Sequence, residues 1–405
     1  MFTIEEDLLD KEINNLIINK RREFHRIPEL SFHEFKTQQI IIKTLKQIGL
    51  EGIPIANTGV IATINGKSKG HTIALRTDMD GLEVNEEKTV LNSDYISQHP
   101  GFMHACGHDA HMAMLLGAAR LLMMRRDAFS GSVRLLFQPA EEQPPGGALE
   151  MIKNGALEGV DAIIGQHILG TTNSGEIEFR PGTLMAAANV MTITITGKDG
   201  HHLNPELCID PIYMASKFIG CIHQEITKKI SKDQFIIGFG KILGGSQFNR
   251  TPDEVEILGS FRTFNNHHTM IIEDTIKQTL NEIMNENINK DIPGLPVYKL
   301  DILHGYPILV NDPLFLKRVF DVLKSHFPSV SDDMDPFFGA EDFAYYLQKV
   351  PGIYICLGTR NEEKNLIEGN HSCKFDIDED ILIQGAELLM IIALDFLNNP
   401  GEYLS

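Results

Sequence analysis

A thiol and an imidazole lie two residues apart at Cys106 and His108, within the segment MHACGHD at 103–109. The apolar run 110–124 follows at once and predicts a helix. A thiolate and a neutral imidazole on a short glycine-containing loop are suitable ligands for a borderline-soft divalent metal ion. A buried structural cysteine beside a surface histidine gives the same pattern. The motif therefore indicates a metal site only in combination with other candidate ligands.

Two adjacent carboxylates, Glu141 and Glu142, form the second candidate group. The preceding segment 132–138, SVRLLFQ, alternates apolar and polar residues and predicts a strand. Two carboxylates that leave a strand end can point in different directions. One can then bind a metal ion while the other takes a proton from a water molecule whose pKa the metal lowers. A Glu-Glu pair on a solvated turn is the commoner alternative.

Two further histidines extend the set. His167 ends the predicted strand 162–166, and His371 lies far downstream in the segment GNHS. Taken singly, each histidine is more often structural or exposed than a metal ligand. Cys106, Glu142 and His167, however, each follow a predicted strand or open a helix. Open α/β sheets assemble their ligand sites at that edge.

With these motifs the chain resembles the aminoacylase and carboxypeptidase family of dinuclear metallohydrolases, in particular the N-acyl-amino-acid amidohydrolase branch that contains hippurate hydrolases and auxin-conjugate hydrolases. The matching segments are FHRIPELS at 24–31, RTDMDG at 76–81, 103–111, 138–142, Gly200-His201, GAEDF at 339–343 and His371-Ser372. The resemblance implies a metal-dependent amidohydrolase that cleaves N-acyl-L-amino acids to a carboxylate and a free amino acid. A metallocarboxypeptidase or dipeptidase is the alternative enzyme. A non-catalytic metal- or ligand-binding homologue is the alternative of another class, although Glu141 would be useless for metal binding alone.

The resemblance also implies the roles of individual residues. It implies two divalent metal ions per subunit, of zinc, manganese, cobalt or nickel, held by Cys106, His108, Glu142, His167 and His371. Cys106 would bridge the two metals, Glu141 would be the general base, and Asp78 would orient a metal-binding histidine. In a homodimer or a dimer of dimers, His201 would reach the active site of the other subunit, while Asn249 and Arg262 would hold the substrate carboxylate.

The sequence leaves the role of one acidic pair undecided, and two segments depart from the family pattern. Glu341-Asp342 has either an active-site role or a capping role at the predicted helix 343–349. The family pattern is altered at Ile168-Leu169-Gly170 and at Cys373, which follows His371-Ser372. We expect both altered segments to line the substrate pocket.

The order of predicted elements indicates an α/β protein with one domain inserted into another. Residues 12–49 are predicted helical, and strand and helix patterns then alternate to about 181. Strands at 190–196, 235–243 and 255–264, with helices at 210–229 and 269–287, suit a two-layer α+β unit with an antiparallel sheet. Pro293-Gly294-Leu295-Pro296 would mark the return. We expect a metallopeptidase-like catalytic domain, with a mixed sheet and flanking helices, over 1–184 and 296–405, and an inserted dimerisation domain over 185–295.

Composition limits the classes of partner. The 405 residues include 36 Lys plus Arg against 55 Asp plus Glu, a net charge of −19 that argues against binding nucleic acid or an anionic membrane. The acidic N-terminal segment MFTIEED lacks the pattern of a secretory signal, and no apolar run reaches a membrane-spanning length. The five cysteines form no regular framework, so we expect a reduced, cytoplasmic enzyme with a small-molecule substrate.

Overall fold

The computed structural model describes residues 4–404, and their side chains from residue 11 onward. The chain divides into two compact units. The first comprises the chain up to Leu184, Val310–Asp335 and the chain from Glu341 onward; the second comprises Met185–Leu309 and Pro336–Ala340.

The helices and strands follow one another in mixed order along the chain. The α-helices are α1 Ile4–His25, α2 Phe35–Ile48, α3 His108–Met124, α4 Gly147–Lys153, α5 Pro211–Thr227, α6 Asn266–Glu286, α7 Pro313–His326, α8 Ala344–Leu347 and α9 Leu382–Asn398. The strands are β1 Ile53–Ile55, β2 Gly59–Asn65, β3 Thr72–Asp78, β4 Ser132–Gln138, β5 Ala162–Asn173, β6 Ile177–Glu178, β7 Gly182–Met185, β8 Ala187–Thr196, β9 Gly200–His201, β10 Phe235–Gly244, β11 Arg250–Thr251, β12 Glu254–Thr263, β13 Val297–His304, β14 Leu309–Asn311, β15 Val330–Ser331 and β16 Gly352–Arg360.

The first unit is built on an eight-stranded sheet in the order β1-β2-β4-β3-β5-β16-β6-β15. The central strands β4, β3, β5 and β16 run parallel, whereas β2 pairs antiparallel with β4 and β6 pairs antiparallel with β16. The central strands are buried along almost their whole length, as expected for a sheet covered on both faces. The predicted mixed α/β sheet with flanking helices is therefore confirmed.

Two neighbouring parallel strands end at the same level. Asp78, the last residue of β3, lies opposite Gln138, the last residue of β4. The loops that continue to Asp80 and to Glu141 therefore leave one edge of the sheet side by side. Strand β5 is longer than the predicted strand 162–166. It continues past His167 to Asn173, and His167 pairs with Cys356 of β16.

The helices of this unit pack around α3. This helix is buried on nearly all sides, and its alanine-rich and leucine-rich sequence allows α1 and α9 to pack closely against it. It begins at His108, directly after Gly107, whose φ of +90° favours glycine. The region 12–49, which was predicted helical, contains two helices, because Pro28 and a turn at 31–32 separate α1 from α2.

The second unit is a two-layer α+β structure. Its four-stranded antiparallel sheet has the order β10-β12-β8-β13, and one face is covered by α5 and α6. Alternate residues of β8 such as Met191, Ile193 and Ile195 enter the core against Phe218 of α5 and Ile276 of α6. The predicted β-α-β-β-α order is present.

The expected return to the first unit at residue 296 is too early. Val297–His304 forms the edge strand β13 and pairs with β8 over its whole length, so it belongs to the second unit. The division observed in the structure falls after Leu309, and Pro336–Ala340 is also grouped with the second unit. Across residues 4–404, no helix combines the length and apolar character that crossing a membrane requires.

Candidate metal centre

Cys106 lies at the middle of the candidate ligands of the first unit. Its Sγ is 3.3 Å from Nε2 of His167 and 3.2 Å from Nε2 of His371. The loop that carries His371 is held in place by its neighbour Asn370, whose side chain donates to the carbonyl oxygens of Cys106 and Ile168. Residues more than 200 positions apart in sequence thus meet at one thiol.

The five predicted ligands fall into two groups that share this thiol. Ligand atoms of Cys106, His108 and His167 lie within 4.8 Å of one another, as do those of Cys106, Glu142 and His371. Glu142 Oε1 is 3.4 Å from His371 Nε2 and 3.8 Å from His108 Nε2. Each of the two donor groups offers three ligand atoms of the kinds that bind divalent metal ions, and the thiol belongs to both groups.

Several buried polar atoms of this cluster make no hydrogen bond to the described residues. Among the residues that the structure describes, His108 Nδ1, His108 Nε2 and Glu142 Oε1 are buried and have no hydrogen-bond partner. Buried groups of this kind are costly unless they bind a ligand, an ion or water. One thiol, three imidazoles and a carboxylate also form a donor set that suits a borderline divalent cation. The residues therefore fit a metal ion.

The ring of His108 is oriented by Asp80, a residue that the sequence analysis did not single out. Asp80 Oδ1 lies 3.3 Å from His108 Nδ1, which leaves Nε2 directed toward Glu142. Asp78, which was expected to support a metal-binding histidine, contacts His111 Nδ1 at 2.7 Å and lies 3.8 Å from His108 Nε2. Its direct support goes to His111.

His111 itself was also missed. Its Nδ1 faces Asp78, and its Nε2 accepts the backbone N–H of Ile168 at 2.9 Å. Both ring nitrogens are therefore used, and the ring tethers the start of α3 to the strand that carries His167. The i, i+3 spacing of His108 and His111 on α3 was the available signal in the sequence.

Burial and neighbouring charges shift the pKa values of two candidate ligands, Cys106 and His167. Burial, with the negative charge of Glu142 and Glu141, raises the pKa of the Cys106 thiol well above its usual value. Burial and the neighbouring His111 lower the pKa of His167, whose Nδ1–H donates to the Ile168 carbonyl oxygen at 2.7 Å. His167 thus presents a neutral Nε2 lone pair to the centre, while Cys106 must lose its proton when a metal binds.

Glu141 lies next to the two donor groups and is also close to the buried acidic residues Glu341 and Asp342. Its carboxylate is grouped with those of Glu341 and Asp342, within 4.8 Å. Burial, and then repulsion from Glu341 and Glu142, raises the pKa of Glu141 well above its usual value. A carboxylate with this tendency readily accepts a proton, which is the property of a general base.

Arg76 compensates the negative charge of this region. It is fully buried in β3 and contacts Asp78 at 2.7 Å, Glu341 at 2.9 Å and Asp342 at 2.8 Å. A fully buried arginine is rare unless it is paired, so its position inside the apolar strand was a signal in the sequence. Glu341 also accepts the backbone N–H of Phe343 at 3.0 Å, so its carboxylate contacts both Arg76 and the residue that precedes α8. The helix that follows is shorter than the predicted 343–349, because only Ala344–Leu347 is α-helical.

The altered segment at Ile168 has a packing role. Ile168 is fully buried in the core, and its side chain lies where a side chain at Gly107 would otherwise be. The expectation that Ile168 lines the substrate pocket is therefore wrong.

The remaining predicted residues lie in the second unit. His201 is in β9, opposite Arg250 of β11, and the backbone carbonyl of Asn249 accepts the N–H of His202 at 3.2 Å. The pairing of β9 with β11 thus brings the backbone of His201 close to that of Asn249. Arg262 is half-buried in β12, and its Nη1 donates to the backbone carbonyl of Phe338.

Comparison with known proteins places these features in a family. The family model for peptidase family M20/M25/M40 matches residues 74–395. Thermostable carboxypeptidase 2 of Saccharolobus solfataricus is 39% identical over 96% of this chain and 97% of its own length. N-acetyl-L-cysteine deacetylase of Bacillus subtilis is 37% identical over 99% of this chain and 94% of its own length. A solved structure from Bacillus subtilis is described as a dinuclear metal-binding peptidase of the M20 family. It superposes with a TM-score of 0.83 at 30% identity, and the match covers 96% of this chain and 99% of that chain.

The family match accounts for the geometry of the first unit. The two donor groups that share Cys106 agree with a pair of divalent metal ions, and the buried Glu141 beside them agrees with hydrolysis of an amide bond. The chain belongs to peptidase family M20/M25/M40 and is a metal-dependent hydrolase that acts on amides.

Proposed function

We propose that this protein hydrolyses N-acyl-L-amino acids to a carboxylate and a free amino acid. The observation that carries the proposal is the position of Glu141, a buried carboxylate outside the two ligand groups but within 4.8 Å of ligand atoms of His108 and Glu142. The Bacillus subtilis relative, an N-acetyl-L-cysteine deacetylase by name, supports this substrate class.

The residues of the first unit divide the work between binding and proton transfer. Cys106, His108, Glu142, His167 and His371 would hold two divalent metal ions, with Cys106 shared between them. Bound there, the metals would polarise the scissile carbonyl and lower the pKa of water. Glu141 would take the proton from the attacking water and deliver it to the amide nitrogen as the C–N bond breaks. The thiolate favours zinc, while manganese, cobalt and nickel remain candidates.

The second unit would complete the substrate site. We propose that His201 stabilises the developing oxyanion from the other subunit of a homodimer or a dimer of dimers. Asn249 and Arg262 would hold the substrate carboxylate. The five cysteines are free thiols, which suits a reducing compartment such as the cytoplasm.

A metallocarboxypeptidase or dipeptidase is the second candidate. The same centre could cleave a peptide bond, and the carboxypeptidase relative, at 39% identity, favours this possibility. The two candidates differ in the group on the acyl side of the scissile bond: a simple acyl group in one and an amino acid or peptide in the other.

A hydrolysis screen on metal-reconstituted protein tests the proposal. It should compare N-acetyl, N-benzoyl and N-indolylacetyl L-amino acids with dipeptides, and should include the Glu141→Gln protein, prepared identically, to reveal contaminating hydrolases. We expect release of free amino acid from at least one N-acyl class, and loss of release after exhaustive chelation. Hydrolysis of dipeptides alone would favour the second candidate, and full activity with metal verified absent would exclude both.

A further inference from the structure

Three consecutive peptide N–H groups of the loop after β4 donate to buried carboxylates from distant segments. Ala140 N donates to Glu34 Oε1 at 2.8 Å. Glu141 N and Glu142 N donate to the two oxygens of Asp80, each at 3.0 Å. Two carboxylates thus fix the backbone at and immediately before the proposed general base.

The first of these peptides has an uncommon conformation. Ala140 has a φ of +54°, in the left-handed region that residues with a Cβ seldom occupy. Such a conformation persists only when surrounding contacts hold it. The carboxylate of Glu34 supplies such a contact at the N–H of the same residue.

The position of Glu34 in its own helix is the second observation. Glu34 occupies the N-cap position of α2, yet its side chain makes no capping hydrogen bond. Glu29 caps the helix from upstream, since its Oε2 accepts the backbone N–H groups of Lys36 and Thr37, each at 2.9 Å. The local role of an N-cap carboxylate is therefore performed by another residue, and Glu34 points away from its helix.

The surroundings of Glu34 leave its carboxylate little freedom. The side chain is fully buried, and Oε2 accepts the hydroxyl of Thr58 at 2.5 Å while Oε1 accepts Ala140 N. Burial, and then the nearby charge of Asp80, raises the pKa of Glu34 to about 7. A neutral side chain with a carbonyl oxygen at this place is therefore a reasonable substitute for the native group.

We propose that Glu34 is a positioning residue for the general base, acting by holding the Ala140 peptide so that Glu141 and Glu142 point in different directions. The consequence for turnover rests on the proposed function. The consequence for the loop backbone does not, and can be measured in metal-free protein.

Two variants of equal length separate the hydrogen bond from the volume of the side chain. Glu34→Met removes both acceptor oxygens and Glu34→Gln keeps one. Glu29→Met is the matched control at the same helix terminus, because the Glu29 side chain accepts N–H groups of the helix and not of the loop. Glu34→Asp, which withdraws the carboxylate by one methylene, repeats the test if the methionine variant does not fold.

Amide hydrogen exchange in the metal-free proteins is the first readout. We expect exchange at 140–142 to be at least about tenfold faster in Glu34→Met than in the wild type, because an N–H without its acceptor loses protection. Glu34→Gln should stay near wild type there. Glu29→Met should change exchange at 36–37 alone, since it removes the acceptor of those two N–H groups. Unchanged exchange at 140–142 in a folded Glu34→Met or Glu34→Asp protein would overturn the proposal.

Steady-state kinetics on the metal-loaded proteins is the second readout. For Glu34→Met we expect kcat to fall about tenfold to a hundredfold with KM and metal content near wild type, since small misplacement of a reacting group costs rates of this order. Glu34→Gln should recover most of kcat. A loss that merely follows metal content, or an equal loss in Glu29→Met, would contradict positioning. A wild type inactive on every N-acyl amino acid would instead contradict the proposed function and leave the exchange result to decide.

Discussion

Asp80 Oδ1 lies 3.3 Å from His108 Nδ1, although Asp80 follows β3 and His108 begins α3. The same carboxylate accepts the backbone N–H groups of Glu141 and Glu142. Burial acts to raise the pKa of Asp80, but the contact with His108 outweighs it and keeps the pKa below its usual value. An ionised Asp80 therefore sets both the ring of one proposed ligand and the loop that carries another.

Replacing Asp80 by Asn should weaken metal binding. The amide has one acceptor oxygen in place of two, so it cannot serve His108 and both N–H groups of the loop together. We expect metal affinity to fall about tenfold to a hundredfold, which is typical for residues that orient metal ligands. Competition with a chromophoric chelator measures the change. Ser31→Ala, which removes only the hydroxyl that donates to Asp80 Oδ2, should have a smaller effect. Wild-type affinity in Asp80→Asn would contradict this role.

The two adjacent glutamates should respond differently to the same substitution. Glu141→Gln should keep metal content near wild type while turnover falls about 100-fold or more, because the amide cannot accept the proton of water. Glu142→Gln should lose metal first, since its Oε1 faces His371 and His108. Elemental analysis and kcat on the same samples separate the two. Equal behaviour of the variants would show that the roles are wrongly divided.

The free energy of unfolding should depend on pH through His25, whose partner Asp109 follows the candidate ligand His108 in α3. Its ring contacts Asp109 at 2.7 Å and Glu86 at 3.1 Å. Burial lowers its pKa, but the attraction of Asp109 and the hydrogen bonds to Asp109 and Glu86 together outweigh this and raise the pKa from 6.5 to about 9. The folded state therefore holds the proton more tightly. The stabilisation is complete below pH 6.5 and is lost as the pH rises to about 9.

Chemical denaturation of the metal-free proteins tests this dependence. The stability difference between wild type and His25→Gln should shrink between pH 6.5 and 9, by an amount on the order of 3 kcal/mol at most. His326→Gln, at an exposed position, is the control and should show no comparable change. A difference that is constant, or that grows with pH, would contradict the raised pKa.

Mixed dimers test the proposed role of His201 across a subunit interface. Glu141→Gln and His201→Ala should each be nearly inactive alone. Unfolded together and refolded, they should recover about a quarter of wild-type activity, since about half the dimers are mixed and each of these has one intact site. Tagged subunits verify that exchange has occurred. Exchange without recovery would exclude a shared site.

The chemistry of the centre was predictable from short motifs. The types of ligand and their places relative to strands and helices were evident around Cys106, Glu142 and His167, because a strand end or helix start has a local sequence pattern. The mixed sheet and the β-α-β-β-α order were predictable for the same reason. Element ends were less so: β5 runs on past His167, and β13 extends the second unit, because strand pairing depends on partners remote in sequence.

The supporting contacts depended on the fold. No local pattern shows that Asp80 faces His108 while Asp78 faces His111. Both carboxylates lie at the end of the same strand, and only Met79 separates them in sequence. Nor does the sequence near Glu34 show that its side chain leaves its own helix for Ala140, 106 residues away. Residue type determines which atoms can bind a metal or a proton. Which of those atoms face one another is decided by long-range packing, because the direction of a buried side chain is set by all the segments that surround it.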